Sequence, residues 1–275
     1  MEWKSAKLAG VTMLSRGNPV IALQDIHVRY VKGPPWARTF HHALRGVDIS
    51  VQAGQMLGLV GESGSGKSTI GRICIGLLRQ TAGTALFDGQ ALFGVGQRLP
   101  GAIGAVLQHP EWSLDPLMTI GSSVEEPLKR IKGLGKAERH DRVADMLGKV
   151  GLRGEFMSRY PKELSGGQRQ RASIARALIT QPRFILFDEA VSALDVSIQA
   201  QILNLIGELQ QSSRFAALFI SHDIAAVRYV ANDIAVLYAG EIAEQASARS
   251  FYEPMHHPYT RQLQRASGLF VDENP

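Results

Sequence analysis

The amino-acid sequence predicts an α/β fold with a largely parallel central sheet, an antiparallel β flank and an inserted α-helical subdomain. Three observations carry that reading. Runs such as LGLV and FILF are apolar throughout, as strands covered on both faces are, and lack the alternation of a half-exposed strand. They alternate with helical patterns: MLGLVG leads into KSTIGRICIGLL, RFILFD into SIQAQILNLIGELQ, and AALFIS into HDIAAVRYVA, with IAVLY next. Such alternation builds parallel strands joined by crossover helices. Between about Pro110 and Tyr160 the strand signal vanishes and helical spacing takes over.

In chain order, IALQDIHVRY is the first strand. With the strand beyond KGPPWARTFHH it forms the antiparallel flank, and that Pro-rich, His-containing insert itself reads as an exposed loop. MLGLV is a buried strand, and KSTIGRICIGLL is the helix after it. Within the insert, VEEPLKRI and KAERHDRVADMLGKVGL are helical, with Val143, Met146, Leu147 and Val150 on one face. QRQRASIARALI is a long helix. The end, FYEPMHHPYTRQLQRASGLFVDENP, is a turn, one short helix and a polar tail. The result is a single domain over 1–275, with a core over about 20–108 and 162–248, a helical subdomain over about 109–161 and a tail over 249–275.

With 275 residues, 45% hydrophobic and 20% charged, the chain has the length and balance of a soluble globular protein. Its net charge of +5 admits an anionic ligand, but without a run of about five basic residues it does not argue for nucleic acid. Cys74, the single cysteine, sits in ICIGLL and reads as a small core residue. It excludes intrachain disulfides and fits a reducing cytosol. No stretch approaches the ~18 apolar residues of a membrane span. MEWKSAKLAGVTMLSRG lacks the apolar core of a secretion signal. Work at a membrane therefore requires a partner.

GESGSGKST, Gly61 to Thr69, fits G-x-x-x-x-G-K-[ST], with a strand before it and a helix after it. Gly61, Gly64 and Gly66, with Glu62, Ser63 and Ser65 between them, let backbone N–H groups curl around an anion, and the new helix adds its positive end. Lys67 reaches the outer phosphates and Ser68, the last position of the motif, ligates Mg²⁺; Thr69 follows it among the nucleotide-binding residues. The competing reading is an ordinary Gly-rich turn, against which the strand and helix in register weigh. FILFDE brings Asp188 and Glu189 to the carboxyl edge of the sheet, where ligands of open α/β sheets bind. Asp188 suits the Mg²⁺ shell and Glu189 the polarisation of an attacking water. Two acids after a strand are otherwise a helix N-terminal charge pair. His222 ends the run AALFISHD, where an imidazole can donate to a γ-phosphate or orient the water and Glu189. Ser221–His222–Asp223 equally fits a helix-capping turn. Gln108, after AIGAV, is alone an ordinary loop residue.

Together these residues resemble a known family. LSGGQ (Leu164 to Gln168) is similar to the signature motif of ABC transporter ATP-binding subunits, and GESGSGKS and FILFDE to the two nucleotide motifs. Gln108 falls on the Q-loop, SALD (Ser192 to Asp195) on the D-loop, His222 on the switch histidine, and Tyr30 near the aromatic residue that stacks on adenine. The motifs occur in order over nearly the whole chain. The resemblance implies a RecA-like P-loop NTPase core that binds ATP, with Mg²⁺ held by Ser68, Gln108 and Asp188, and with Glu189, His222, Gln108 and Lys67 as the catalytic set. It also implies head-to-tail pairing, in which Ser165, Gly166, Gly167, Gln168 and Asp195 act in trans on nucleotide held by the facing subunit. Ser165 and the N–H groups of Gly166 and Gly167 open a helix whose positive end suits a γ-phosphate.

DEAVSALDVSIQAQILNLI, LFISHD and PMHHPYTRQL are similar to the dipeptide, oligopeptide and nickel importer branch, whose subunits carry HPYT (here His257 to Thr260) near their end. That similarity implies an ATPase at the cytoplasmic face of the inner membrane that drives uptake of peptides, or of nickel. Its partners are two membrane-spanning permease subunits, a second ATP-binding subunit as homo- or heterodimer, and indirectly a periplasmic or surface solute-binding protein. HHPYT is otherwise an ordinary turn capping a terminal helix, which we prefer over metal binding by His256 and His257. The chain departs from the family at His109, where Asp is common, and at Ala190 and Val191, where Pro-Thr is common. It stops at Pro275 without the cysteine-bearing extension of many relatives, so no iron–sulfur cluster is expected. The alternative function is a soluble ABC-type ATPase acting on nucleic acid or the ribosome. The long coiled coils, paired cassettes and basic tails of such proteins are not visible, and no nucleic-acid partner is expected.

Overall fold

The computed structural model describes residues 18–34, 36–93, 101–108, 113–253, 255 and 257–267. Readings made above for the first 17 residues, His109, His256 and the polar end beyond 267 lie outside them. In chain order the strands are β1 (Ile21–Lys32), β2 (Thr39–Val51), β3 (Met56–Val60), β4 (Ala82–Phe87), β5 (Gln90–Ala91), β6 (Ile103–Val106), β7 (Phe184–Asp188), β8 (Ala216–Ile220), β9 (Asp233–Tyr238) and β10 (Glu241–Ser247). They form two sheets. One has six strands in the order β10-β9-β3-β8-β7-β6, parallel except for the β9–β10 hairpin. The other is the antiparallel flank, in the order β2-β1-β4-β5.

The central strands lack polar alternation because both of their faces are covered. Along β7, Ile185 and Phe187 enter one apolar layer while Phe184 and Leu186 enter the other; β8 divides Ala217 and Phe219 from Ala216, Leu218 and Ile220 in the same way. None of these side chains is more than 1% exposed. The helices are α1 (Lys67–Cys74), α2 (Ile120–Glu125), α3 (Lys136–Lys149), α4 (Gly166–Leu178), α5 (Val196–Ser213), α6 (Ile224–Val230) and α7 (Pro258–Ala266). Ile70, Ile73 and Cys74 of α1 join the flank sheet in one layer, and the buried residues of α2 to α6 make the other. This is the mixed α/β arrangement of a P-loop NTPase.

Three local expectations need correction. Thr39 to His42 are not loop: β2 begins at Thr39 and runs against β1, pairing Lys32 with Thr39, Val31 with Phe40 and Tyr30 with His41. Their side chains are exposed, so no burial signal marked them, and backbone pairing alone extends the hairpin. Helix α1 stops at Cys74, inside the apolar run and four residues before the run ends at Leu78. Gly76 takes φ +71, its N–H donates to Ile73 O and that of Leu77 to Arg72 O, each at 2.8 Å, a closure that a left-handed glycine permits. The stretch VEEPLKRI is broken at Glu125, where α2 gives way to a 3-10 turn over Glu126–Arg130 that contains Pro127. Proline has no N–H to continue the helical ladder.

Helix α3 buries Val143 and Leu147, with Val150 at its end and Met146 at the edge of the same cluster. Arg139 of α3 donates to Glu125 at 2.8 Å, which holds the Glu125 carboxyl below the usual carboxylate range. Arg176 of α4 donates to Glu126, also at 2.8 Å. These pairs tie the helical segment to itself and to α4.

Candidate nucleotide site

The strand β3 is buried along its whole length and delivers the chain to the glycine loop at its carboxyl end. Only glycine fits at two points there. Gly61 has φ +153 and a Cβ on it would lie 2.2 Å from Leu237 O; Gly66 has φ +112 and its Cβ would lie 2.8 Å from Ala43 O. The loop is thus pressed between the end of β9 and the start of the buried half of β2. Gly66 caps α1 without a side-chain acceptor, which leaves the first N–H groups of the helix for another partner. Ser65 Oγ is buried with no hydrogen-bond partner among the described residues.

Lys67 is 7% exposed, and its Nζ donates to Gly61 O and Glu62 O, each at 2.7 Å. Burial pushes its pKa down, and the carboxylates of Glu189, Asp188 and Glu62 pull it back up. Asp188 shows the opposite balance. Burial and then the adjacent Glu189 charge push its carboxyl up, while Ser68, Arg72 and Lys67 oppose them. Its Oδ1 is buried without a hydrogen-bond partner among the described residues. An orphaned carboxylate oxygen beside the Ser68 hydroxyl is a hard oxygen-donor set, and it fits Mg²⁺.

Glu189 stands in the left-handed region at φ +54. Its N–H donates to Ile220 O at 2.9 Å and its carbonyl accepts from the Ser192 hydroxyl at 2.9 Å, so the chain turns sharply as it leaves β7. No acidic residue lies in the first turn of α5, so Asp188 and Glu189 are not a helix N-terminal pair. At the end of β8, Asp223 Oδ1 caps α6 by accepting from Ala225 and Ala226, and Ser221 Oγ accepts from Asp223 N–H. The capping falls to those two residues. His222 between them is turned to Glu189, its Nδ1–H donating to Oε2 at 2.7 Å.

An open cleft of about 480 Å³ gathers Ser63, Gly64, Gly66, Lys67, Ser68 and Thr69 with Tyr30 of β1, Gln108 beyond β6, Glu189 and His222. Gly61, Glu62, Ser65 and Asp188 are not part of this lining. His41 and Ala43 of β2 complete the cleft, and sequence reasoning missed both. The available signal was spacing: His41 and Tyr30 are equidistant from the middle of their connecting loop and face each other across the hairpin. A larger cavity, about 830 Å³, lies among β4, β6 and α4 and includes none of these residues.

The signature residues are elsewhere. Ser165 caps α4: its Oγ accepts from Gln168 N–H at 3.3 Å, and Gln168 Oε1 accepts from Ser165 N–H at 2.9 Å. Gly167 packs on α5, where an added Cβ would meet Ile198 Cγ2 at 2.7 Å. Asp195 is exposed at the start of α5. Neither Ser165 to Gln168 nor Asp195 lines the cleft, so one chain does not bring its two phosphate-suited loops together.

A glycine loop wrapped about a buried lysine, with acids and a histidine at neighbouring strand ends, defines a P-loop nucleotide-binding protein. Residues 44–192 match the family model described as ABC transporter, and the chain belongs to that family. It is similar to the glutathione import ATP-binding protein GsiA of Salmonella typhimurium, 48% identical over 258 residues that cover 91% of this chain and 41% of GsiA. It thus spans about two fifths of that relative. The di/tripeptide transport ATP-binding protein DppF of Pseudomonas aeruginosa is 45% identical, over 82% of this chain and 71% of DppF. The dimeric, post-hydrolysis ATP-binding cassette MJ0796 bound to ADP and Pi superposes with a TM-score of 0.73 at 30% identity, over 83% of this chain and 99% of that one.

Proposed function

We propose that the chain is the ATP-hydrolysing subunit of an ABC import system for peptides, the alternative solute being nickel. The observation that carries the reading is the hydrogen bond from His222 to Glu189 at 2.7 Å, in the same cleft as Lys67 and Ser68. A phosphate loop alone binds nucleotide, whereas an oriented carboxylate beside it can also polarise a water. The names of GsiA and DppF support import and peptides as the solute.

In this reading the loop N–H groups and the start of α1 receive the triphosphate, and Lys67 exchanges the Gly61 and Glu62 carbonyls for outer phosphate oxygens. Ser68, Asp188 and Gln108 would hold Mg²⁺, which would neutralise phosphate charge when bound. Glu189 takes up the proton of the attacking water, and His222 fixes the carboxylate. Tyr30 stacks on the adenine. Ser165 with the Gly166 and Gly167 N–H groups, Gln168 and Asp195 complete the site held by a facing copy or a sibling subunit. Among the described residues, no helix is long and apolar enough to cross a membrane. Passage of solute falls to two permease subunits, fed by a solute-binding protein. The helical subdomain over about 109–161, around EWSLDPLMTIGSSVEEPL, receives a permease helix from the cytoplasmic face of the membrane.

Glu189→Gln tests the reading. MgATP binding should persist while phosphate release slows by about 10²-fold or more, the range for loss of a general base. The same variant should fail to restore labelled-dipeptide uptake in cells lacking the parent chain. Turnover within twofold of the parent would reject Glu189 as the base.

A further inference from the structure

The tail helix α7 reaches the nucleotide loop through one side chain. Tyr259, 6% exposed, accepts the Glu62 backbone N–H on its hydroxyl oxygen at 2.8 Å. The Glu62 carbonyl accepts from Lys67 Nζ at 2.7 Å. A single residue of the loop, Glu62, is therefore held at its N–H and at its carbonyl, by a residue 197 positions later in the chain and by the lysine that a triphosphate needs.

Other contacts make Tyr259 a fixed post. Its ring packs on Tyr238 with centroids 4.3 Å apart, at the end of β9. The residue before Tyr238 is Leu237, whose carbonyl presses the loop at Gly61. The end of β9 thus bears on the loop and on the tyrosine together. Helix α7 is anchored in turn. His257 caps it by accepting Tyr259 N–H on Nδ1 at 3.2 Å, and its own N–H donates to Glu244 of β10 at 3.2 Å. Gln264, 1% exposed, donates to Phe251 O at 2.8 Å and to Glu253 O at 2.9 Å. Burial pushes the Tyr259 hydroxyl pKa up, which keeps it a neutral acceptor.

We propose that Tyr259 is a positioning residue of the nucleotide site: by holding the Glu62 N–H it fixes the first turn of the loop, and it makes nucleotide affinity depend on the docking of α7. The inference rests on the reading of residues 61–69 as a triphosphate loop. A loop already fixed in its binding form loses less freedom when the ligand arrives, so release of this contact lowers affinity. Linkage runs both ways, and bound nucleotide tightens the docking of α7.

The test uses the full chain and Tyr259→Phe, which keeps the ring on Tyr238 and removes the acceptor. The KM for MgATP should rise about fivefold with kcat within about twofold, the split expected when one neutral hydrogen bond that supports binding is lost. Exchange of the Glu62 amide should quicken in the variant, and MgATP should slow exchange over 258–266 in the parent. An unchanged KM and an unchanged Glu62 amide in Tyr259→Phe overturn the inference, with the parent still binding MgATP. Parallel losses of affinity, kcat and melting temperature overturn it too, because they assign Tyr259 to packing alone. A parent that does not bind MgATP removes the triphosphate reading itself, and this inference with it.

Discussion

Lys67 is a cation that the fold keeps out of water and surrounds with carboxylates. Burial holds its pKa below the usual lysine value although Glu189, Asp188 and Glu62 oppose the shift, and its Nζ donates to two carbonyls of its own loop. Such a lysine is poised for a multiply charged anion, because exchanging carbonyl oxygens for phosphate oxygens strengthens each contact. Lys67→Ala should therefore weaken MgATP binding by about 10- to 150-fold, the equivalent of a lost charge-assisted hydrogen bond. Titration calorimetry reads this directly, and parent-like affinity would contradict the placement of the phosphates. Lys67 was marked in the sequence by the G-x-x-x-x-G-K-[ST] spacing, and Asp188, Glu189 and His222 by their places after apolar strands; Lys67, Glu189 and His222 share one cleft. His41 and Tyr259 were not marked in this way. The first faces Tyr30 across a hairpin whose second strand begins inside a stretch that read as loop, and the second reaches Glu62 from the far end of the chain.

At the scale of elements, apolar patterning located the buried strands and the helical segment, and local backbone chemistry decided where each stopped. Gly76 ended α1 inside an apolar run, and Pro127 divided a helical pattern whose hydrophobic spacing continued across it. Spacing also placed Val143, Leu147 and Val150 on the inner face of α3, and all three are buried. Leu147, with no exposed surface, packs in the cluster that also contains Leu152 and Phe156. Leu147→Ala should cost about 2–4 kcal/mol by leaving a cavity that the segment cannot close. Urea unfolding measures it. Nucleotide affinity should stay at the parent value, since no residue of α3 lines the cleft. A loss below about 1 kcal/mol would mean that α3 is outside the cooperative core.

At the scale of the whole molecule, the chain carries two phosphate-suited loops in places that it cannot join by itself. Residues 61–69 face the cleft, whereas Ser165 and the start of α4 are turned elsewhere. If a second copy joins them, each paired site takes its lysine from one chain and its signature serine from the other. Two different lesions should then complement. Lys67→Ala removes the first half of a site. Ser165→Asp keeps the cap on α4 but sets a negative charge against the triphosphate. Each variant alone should hydrolyse ATP at less than about a tenth of the parent rate, the scale of a lost charged contact. In an equimolar mixture half the pairs are mixed, and each mixed pair holds one doubly damaged and one intact site, so about a quarter of the parent rate should return. Phosphate release from the two variants, separately and after mixing, decides it. A mixture no faster than the mean of the separate rates would show that a copy of this chain does not complete the site, leaving a sibling subunit to supply the facing loop.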